Sequence, residues 1–353
     1  MTLNLSISKK PRLENIDYLR GLSALSIMIY HYVTWTSGEV SAKSFLGRIG
    51  IYGVAIFYIL SGLTLSYVYR DSLEPTAKSL GIFFKKRAFR IFPLLWLATL
   101  TSIALSKKIP SGLDVILNLT GVFGFIKWNT YFATGAWSIG NELVFYSLFP
   151  LLLFAFSRYR YLFYCFVSII LFSYLFFAFH VISPSLGLSL QWRSYTNPIN
   201  QALFFVGGII LSLFFRHQAI SRSMNTVLGM IGLGLLFFYP SVDFTTSLVT
   251  GSNRIIFSIS CFLICLSFYK SNYRLPALLN QSLSFLGKSS YSVYLLHPVI
   301  FAVTKASLNL ITNHLFVLPG IIILFTSIAV TLFTSYFVYE YFEKRFIKWG
   351  NEI

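Results

Sequence analysis

"RGLSALSIMIYH", residues 20–31, opens with a guanidinium, runs through apolar and small residues, and closes on an imidazole. Eleven steps of 100° bring the helix about 20° past three full turns, so Arg20 and His31 share a face, separated by about 16 Å of rise. That rise sets Arg20 at a membrane rim and His31 at membrane depth. The chain around it agrees: of 353 residues, 56% are hydrophobic, 18% aromatic and 11% charged, with mean hydropathy +0.71. A soluble domain carries about 25% charged residues, so a soluble enzyme and a disordered chain are both excluded.

Apolar runs of membrane length repeat along the chain at 19–35, 50–69, 88–106, 137–156, 161–182, 199–215, 224–240, 254–270, 289–306 and 317–341. They predict an all-α, polytopic integral membrane protein with about ten transmembrane helices. The piece "LDVILNLTGVFGFIK", 113–127, is apolar but short, and reads as a re-entrant or interfacial segment. Placing both termini in the cytoplasm puts 20 of the 28 Lys and Arg on the inside, among them Lys9, Lys10, Arg12, Arg70, Arg158, Arg160, Lys344, Arg345 and Lys348. Eight, such as Lys43 and Arg48, fall outside. This is the positive-inside bias, and it absorbs most of the net charge of +17 without invoking nucleic acid. Residues 1–353 read as one transmembrane domain with no appended soluble domain and no internal repeat, and the first apolar run begins too late for a cleaved signal peptide.

Polar residues at membrane depth are functional candidates, and four groups stand out. Arg20 serves either as a snorkelling anchor or as a ligand for anions, while His31 is either a hydrogen-bonded core residue or a reactive base. "KKRAFRIFPL" brings Lys85, Lys86, Arg87 and Arg90 to the third span, with Arg87 and Arg90 on one face; the cluster is either an inside-charge anchor or a phosphate clamp. In "GAWSIGNELVFYSLFP", Ser138, Glu142 and Tyr146 recur every four residues as one stripe. In "LGKSSYSVYLLHP", Ser290, Tyr294 and His297 follow i, i+4, i+7, and Pro298 is expected to loosen the helix after His297. Glu340 and Glu343 of "YEYFEKR" are expected to pair with inside cations. Cys165, Cys261 and Cys265 lie within apolar runs away from His and carboxylates, which favours packing over metal binding. No metal-site spacing, phosphate loop, dinucleotide fingerprint or nucleophile elbow occurs.

Taken in order, "LRGLSALSIMIYH", "GVAIFYILSGLTL", "KKRAFRIFPLLW", "GAWSIGNELVFYSLFP", "LGKSSYSVYLLHP" and "YEYFEKR" resemble the motifs of the acyltransferase-3 family of polytopic membrane acyltransferases, across positions 19 to 345. Relatives often carry Pro after the terminal Glu-Lys pair, where this chain has Arg345. The resemblance implies transfer of an acyl group, usually acetyl, from cytoplasmic acyl-coenzyme A to a hydroxyl of a carbohydrate or lipid-linked glycan, in a bacterial cytoplasmic membrane. It implies no permanently bound cofactor: acyl-coenzyme A is the donor substrate, and membrane lipid surrounds the bundle. Arg20 and His31 match the family's Arg-to-His signature, and Arg87 and Arg90 its Arg-x-x-Arg signature.

On this reading Arg20, Arg87, Arg90 and Lys86 bind the donor's phosphates. His31, whose ordinary pKa lies near 6.5, acts as general base or as an acyl carrier. Glu142 orients that imidazole or positions the acceptor. Trp137, Ser138, Tyr146, Ser290, Tyr291, Tyr294 and His297 line the path. Some relatives carry an extra extracytoplasmic catalytic domain; here either the bundle completes the transfer or a separate extracytoplasmic partner enzyme does. The competing reading is a transporter of an anionic or lipid-linked solute, which would move solute without consuming thioester.

Overall fold

The computed structural model describes residues 11–106, 109–273, 275–311 and 318–352. Lys9, Lys10 and position 317, where the last expected span begins, lie outside the described residues. The elements in chain order are α1 (Glu14–Ser37), α2 (Phe45–Tyr69), α3 (Ala77–Ser106), α4 (Gly112–Thr120), α5 (Phe123–Ile126), α6 (Ala136–Arg158), α7 (Arg160–Phe176), α8 (Trp192–Tyr195), α9 (Pro198–Phe215), α10 (Arg222–Phe238), α11 (Gly251–Lys270), α12 (Ala277–Ile311), α13 (Gly320–Phe337) and α14 (Lys344–Asn351). A π-turn, Phe177–Val181, ends α7, and another, Val338–Glu343, joins α13 to α14.

The protein is an all-α, multi-pass integral membrane protein, and every expected span finds its helix. Among the described residues, eight helices have the length and apolar content to cross a membrane. The other two long ones fall short for separate reasons. α1 is polar at both ends, through Asp17 and Arg20 at one and His31, Thr34 and Thr36 at the other; α10 has 17 residues. The short piece at 113–127 folds as α4 and α5, joined through Gly121, and α4 has only nine residues. Nine residues rise about 14 Å, too little to cross about 30 Å of hydrocarbon.

Two helices outrun their apolar stretches. α3 begins at Ala77 rather than 88, and α12 covers 35 residues rather than the expected 289–306. Polar residues near their starts, Lys78 and Ser79 in α3 and Asn280, Gln281 and Ser282 in α12, lower the hydropathy there while the helical hydrogen bonding continues. Pro298 does not end α12, which continues to Ile311; the reason lies in the site below.

α2 is the central helix, with 78% of its most apolar window buried, against 17% for the α7 window. α1 lies along α12 and α2 along α9. The α1–α12 contact is close because neither helix has a side chain at the crossing: a Cβ on Gly21 would stand 2.6 Å from the Gly287 backbone nitrogen. Overpacking there costs about 1–3 kcal/mol. Gly287→Val is therefore expected to lower the thermal midpoint in detergent. An unchanged midpoint would refute the close-packing argument.

Two cations at the far end, where α1 terminates, are structural. Arg48 donates to the carbonyls of Leu236 (2.9 Å) and Tyr239 (2.7 Å), so its charge meets the C-terminus of α10. Arg254 is buried, donates to Asn200 Oδ1 at 2.6 Å and lies 4.3 Å from the Tyr174 ring centroid.

The loops at that end are tied by Asp243, which accepts from Ser41 Oγ at 2.7 Å and the Ala42 amide at 2.8 Å. The Ser41 hydroxyl holds this carboxyl below its ordinary value. A depressed folded-state pKa adds stability above the unfolded value, lost as pH falls through the folded one. Asp243→Ala is thus expected to lower the thermal midpoint near neutral pH, with the difference from wild type shrinking as pH falls below the ordinary carboxylate range, as a melting series over pH would show.

Candidate active site

A cavity of about 250 Å³ opens between α1, α2, α3, α6 and α12. Its end nearest the start of α1 holds three guanidinium groups, from Arg20, Arg87 and Arg90. Arg20 is only loosely engaged, with Nη1 3.3 Å from Asp17 Oδ1 and Nη2 3.4 Å from Thr64 Oγ1. Arg87 sits 5.9 Å from the Tyr69 ring centroid and 6.0 Å from that of Tyr146, and its buried Nε has no partner. Arg90 makes no direct hydrogen bond among the described residues, and the carboxyl of Glu343 is the opposite charge that acts most on it. Three underused guanidiniums on one concave surface suit an anion with several phosphate oxygens.

Midway along the wall, Glu142 Oε1 accepts from Ser61 Oγ at 2.8 Å and from the Tyr146 hydroxyl. At the other extremity the backbone turns into α6 through Gly135, whose φ of +88° favours a residue without Cβ. The Gly135 carbonyl is shared by Ser138 Oγ (2.9 Å) and the Tyr294 hydroxyl (3.1 Å), and these two hydroxyls lie 2.9 Å apart. Tyr294 and Ser138 thus meet as paired hydroxyls at the cavity's inner limit.

One turn beyond Tyr294 stands His297. In an unbroken helix the Tyr294 carbonyl would accept from the amide of residue 298, but Pro298 has no N–H. The imidazole of His297 fills that vacancy: its Nδ1 lies 2.7 Å from Tyr294 O. This is how α12 passes the proline without ending. It also settles the ring's chemistry. With Nδ1 donating, neutral His297 presents Nε2 as an acceptor, and His31 Nδ1, 2.8 Å away, donates to it. The lone pair of His31 Nε2 is left uncommitted. His297 is fully buried, and its carbonyl accepts from the Tyr32 hydroxyl at 2.9 Å. Trp35 stacks on His31 at 5.2 Å and 6°. The His31 ring is held on both sides.

Nine of the residues singled out in the sequence therefore line one cavity: Arg20, Arg87, Arg90, Ser138, Glu142, Tyr146, Ser290, Tyr291 and Tyr294. His31 and His297 are not in that wall but pair just past Tyr294. Of the two roles expected for Glu142, orienting His31 or positioning the acceptor, the first has no contact behind it: His31 bonds His297, while Glu142 bonds Ser61 and Tyr146. Trp137 lies behind the wall against Tyr58, Trp192 and Tyr195. Lys86 sits where α3 meets α14, near Gly350, outside the cavity lining. Glu343 is buried and accepts from Ser292 Oγ at 2.8 Å, while the half-buried Glu340 pairs with the exposed Lys344.

Sequence reasoning gave no role to α2, yet Val54, Phe57, Tyr58, Ser61, Thr64, Leu65 and Val68 all face the cavity. Their spacing of three and four residues, with hydroxyls inside an apolar run, was the available signal.

The family model described as an acyltransferase domain matches residues 13–340. Among curated proteins, O-acetyltransferase OatA from Staphylococcus aureus strain NCTC 8325 / PS 47 is 26% identical over 329 residues, covering 83% of this chain and 51% of the relative. The proteins of that name from strains COL and MRSA252 match to the same extent. The chain thus spans about half the length of the curated relatives it matches. No solved structure matches it.

Proposed function

This chain belongs to the acyltransferase-3 family, and on that premise we propose that it transfers an acetyl group from acetyl-coenzyme A to a hydroxyl of a glycan. The observation that carries the reading is the cavity with three guanidiniums at one end and the hydroxyls of Ser138 and Tyr294 at the other, where the next turn of α12 carries the histidine pair. The donor's phosphates rest on Arg20, Arg87 and Arg90. Its two-amide arm extends along α1 and α2 and brings the thioester toward Tyr294. The rise of about 16 Å from Arg20 to His31 suits that extended arm. The excess of basic residues at the same end supports a cytoplasmic entry for the donor.

The chemistry follows from the tautomers. His31 Nε2 takes the proton of the acceptor hydroxyl as its oxygen bonds to the thioester carbonyl carbon. The carbonyl electrons move to oxygen, and the Tyr294 hydroxyl, swinging from the Gly135 carbonyl, donates to it. Collapse of the intermediate breaks the carbon–sulfur bond, and the proton on His31 passes to the departing thiolate. His297 accepts from His31 Nδ1 throughout, keeping Nε2 directed at the reacting hydroxyl. An acyl-histidine on His31, later attacked by the acceptor, uses the same groups.

The test is thiol release from acetyl-coenzyme A by the protein in nanodiscs, run beside an isotopic donor-binding measurement. Saturable binding and release that increases with added glycan are expected. Neither binding nor release, with flux of an anionic solute instead, would establish the transporter reading.

A further inference from the structure

Outside the spans, at the far end of the bundle, two loop segments bring together aromatic rings that the proposed transfer does not use. Residues 127–135 precede α6, and residues 182–197 join α7 to α9. Trp128 Nε1 donates to the Arg193 carbonyl at 2.8 Å, and Trp192 Nε1 donates to the Tyr131 hydroxyl at 2.8 Å. Both indole N–H groups are therefore spent on fixing the rings, yet Trp128, Tyr131 and Trp192 remain half-exposed. The exposed Arg193 guanidinium lies over one face of the Trp128 ring, 5.7 Å from its centroid.

A membrane-interface belt of aromatics would also sit at this height, but it would face lipid at the perimeter. Trp96 of α3 is such a residue, exposed and donating to the Leu119 carbonyl. The loop cluster runs inward instead. Trp192 meets the buried Trp137 edge-on at 5.7 Å, and Trp137 in turn reaches Tyr58, a cavity-wall residue, at 6.5 Å. Tyr195 packs on both Trp137 and Trp192, and its hydroxyl donates to the Ile51 carbonyl at 3.4 Å. The rings descend without a break from solvent to the end of the cavity where Ser138 and Tyr294 meet.

We infer that Trp128, Tyr131 and Trp192 form an acceptor platform on which the apolar C–H face of a pyranose ring stacks, with Arg193 donating to its oxygens. Rigid rings offer large contact area at little conformational cost. With their N–H groups already satisfied, their ring faces are what they have to offer a ligand, and a sugar's alternating C–H and O–H faces suit that surface. The inference rests on the acyl-transfer reading only for the name acceptor; the platform binds sugar whether or not transfer follows.

The experiment titrates nanodisc-embedded protein with neutral tetrasaccharides of glucose, galactose, mannose and N-acetylglucosamine, following tryptophan emission, and measures sugar-dependent thiol release in parallel. At least one sugar is expected to shift the emission saturably. Trp192→Ala should raise that sugar's half-saturation about tenfold or more, while Trp192→Phe, which keeps a ring face, stays within about threefold of wild type. The Phe variant also controls for folding. No shift with any of these sugars, or equal half-saturation in wild type and Trp192→Ala, would overturn the platform. Sugar binding without any thiol release would overturn the transfer reading and leave the platform standing.

Discussion

Alanine at His31 is expected to lower glycan acetylation by about 10²–10⁴-fold, the range for removing a general base, while donor affinity changes little. The size follows from the hydrogen-bond chain. Tyr294 O, His297 Nδ1, His297 Nε2 and His31 Nδ1 are committed in sequence, so His31 Nε2 is the free base at its end. The same chain predicts graded effects behind His31. His297→Ala removes the acceptor for His31 Nδ1 and frees the ring to flip, costing less than His31→Ala but lowering kcat rather than raising the donor KM. Pro298→Ala restores a backbone N–H to Tyr294 O, competes with His297 Nδ1, and should lower kcat without unfolding the helix. Pre-steady-state thiol release separates the two chemistries. A stoichiometric burst without acceptor means that His31 carries the acyl group; its absence means direct attack. Full activity in His31→Ala would remove the pair from the mechanism altogether.

The second large effect concerns the donor. Each hydrogen bond to a charged group contributes about 1.5–3 kcal/mol, which corresponds to about 10–100-fold in affinity per guanidinium. The double replacement Arg87→Ala, Arg90→Ala is expected to raise the acetyl-coenzyme A dissociation constant by at least about 100-fold, with kcat at saturation far less affected. Lysine at these positions should recover only part of the loss, because an ammonium cannot reproduce the planar fork. Dephospho-coenzyme A, lacking one phosphate, should bind wild type more weakly and lose less than the full donor does on the double replacement. Donor binding equal to wild type in the double variant would place the phosphates elsewhere. The unpartnered Nε of Arg87 in the cavity wall makes that outcome hard to reconcile with the cavity.

The sequence by itself determined the class of protein, the order of its spans and the faces of its polar residues. Apolar run length and the positions of Lys and Arg are properties of single segments, and a helix's 3.6-residue period sorts its own side chains without reference to neighbours. That is why Arg20 with His31, Ser138 with Glu142 and Tyr146, and Tyr294 with His297 were each recognisable as one stripe. Helix ends were less legible, since α3 and α12 continue where apolarity stops. Which stripes face one another was decided only in three dimensions. His31 and His297 are 266 positions apart and meet because two glycines let α1 and α12 approach closely. Glu142, equally plausible as a partner from its own helix, is held instead by Ser61 of α2 and by Tyr146. A residue's face is written in local spacing; its partner depends on how helices pack, and that is settled by shape at crossings spread over the whole chain.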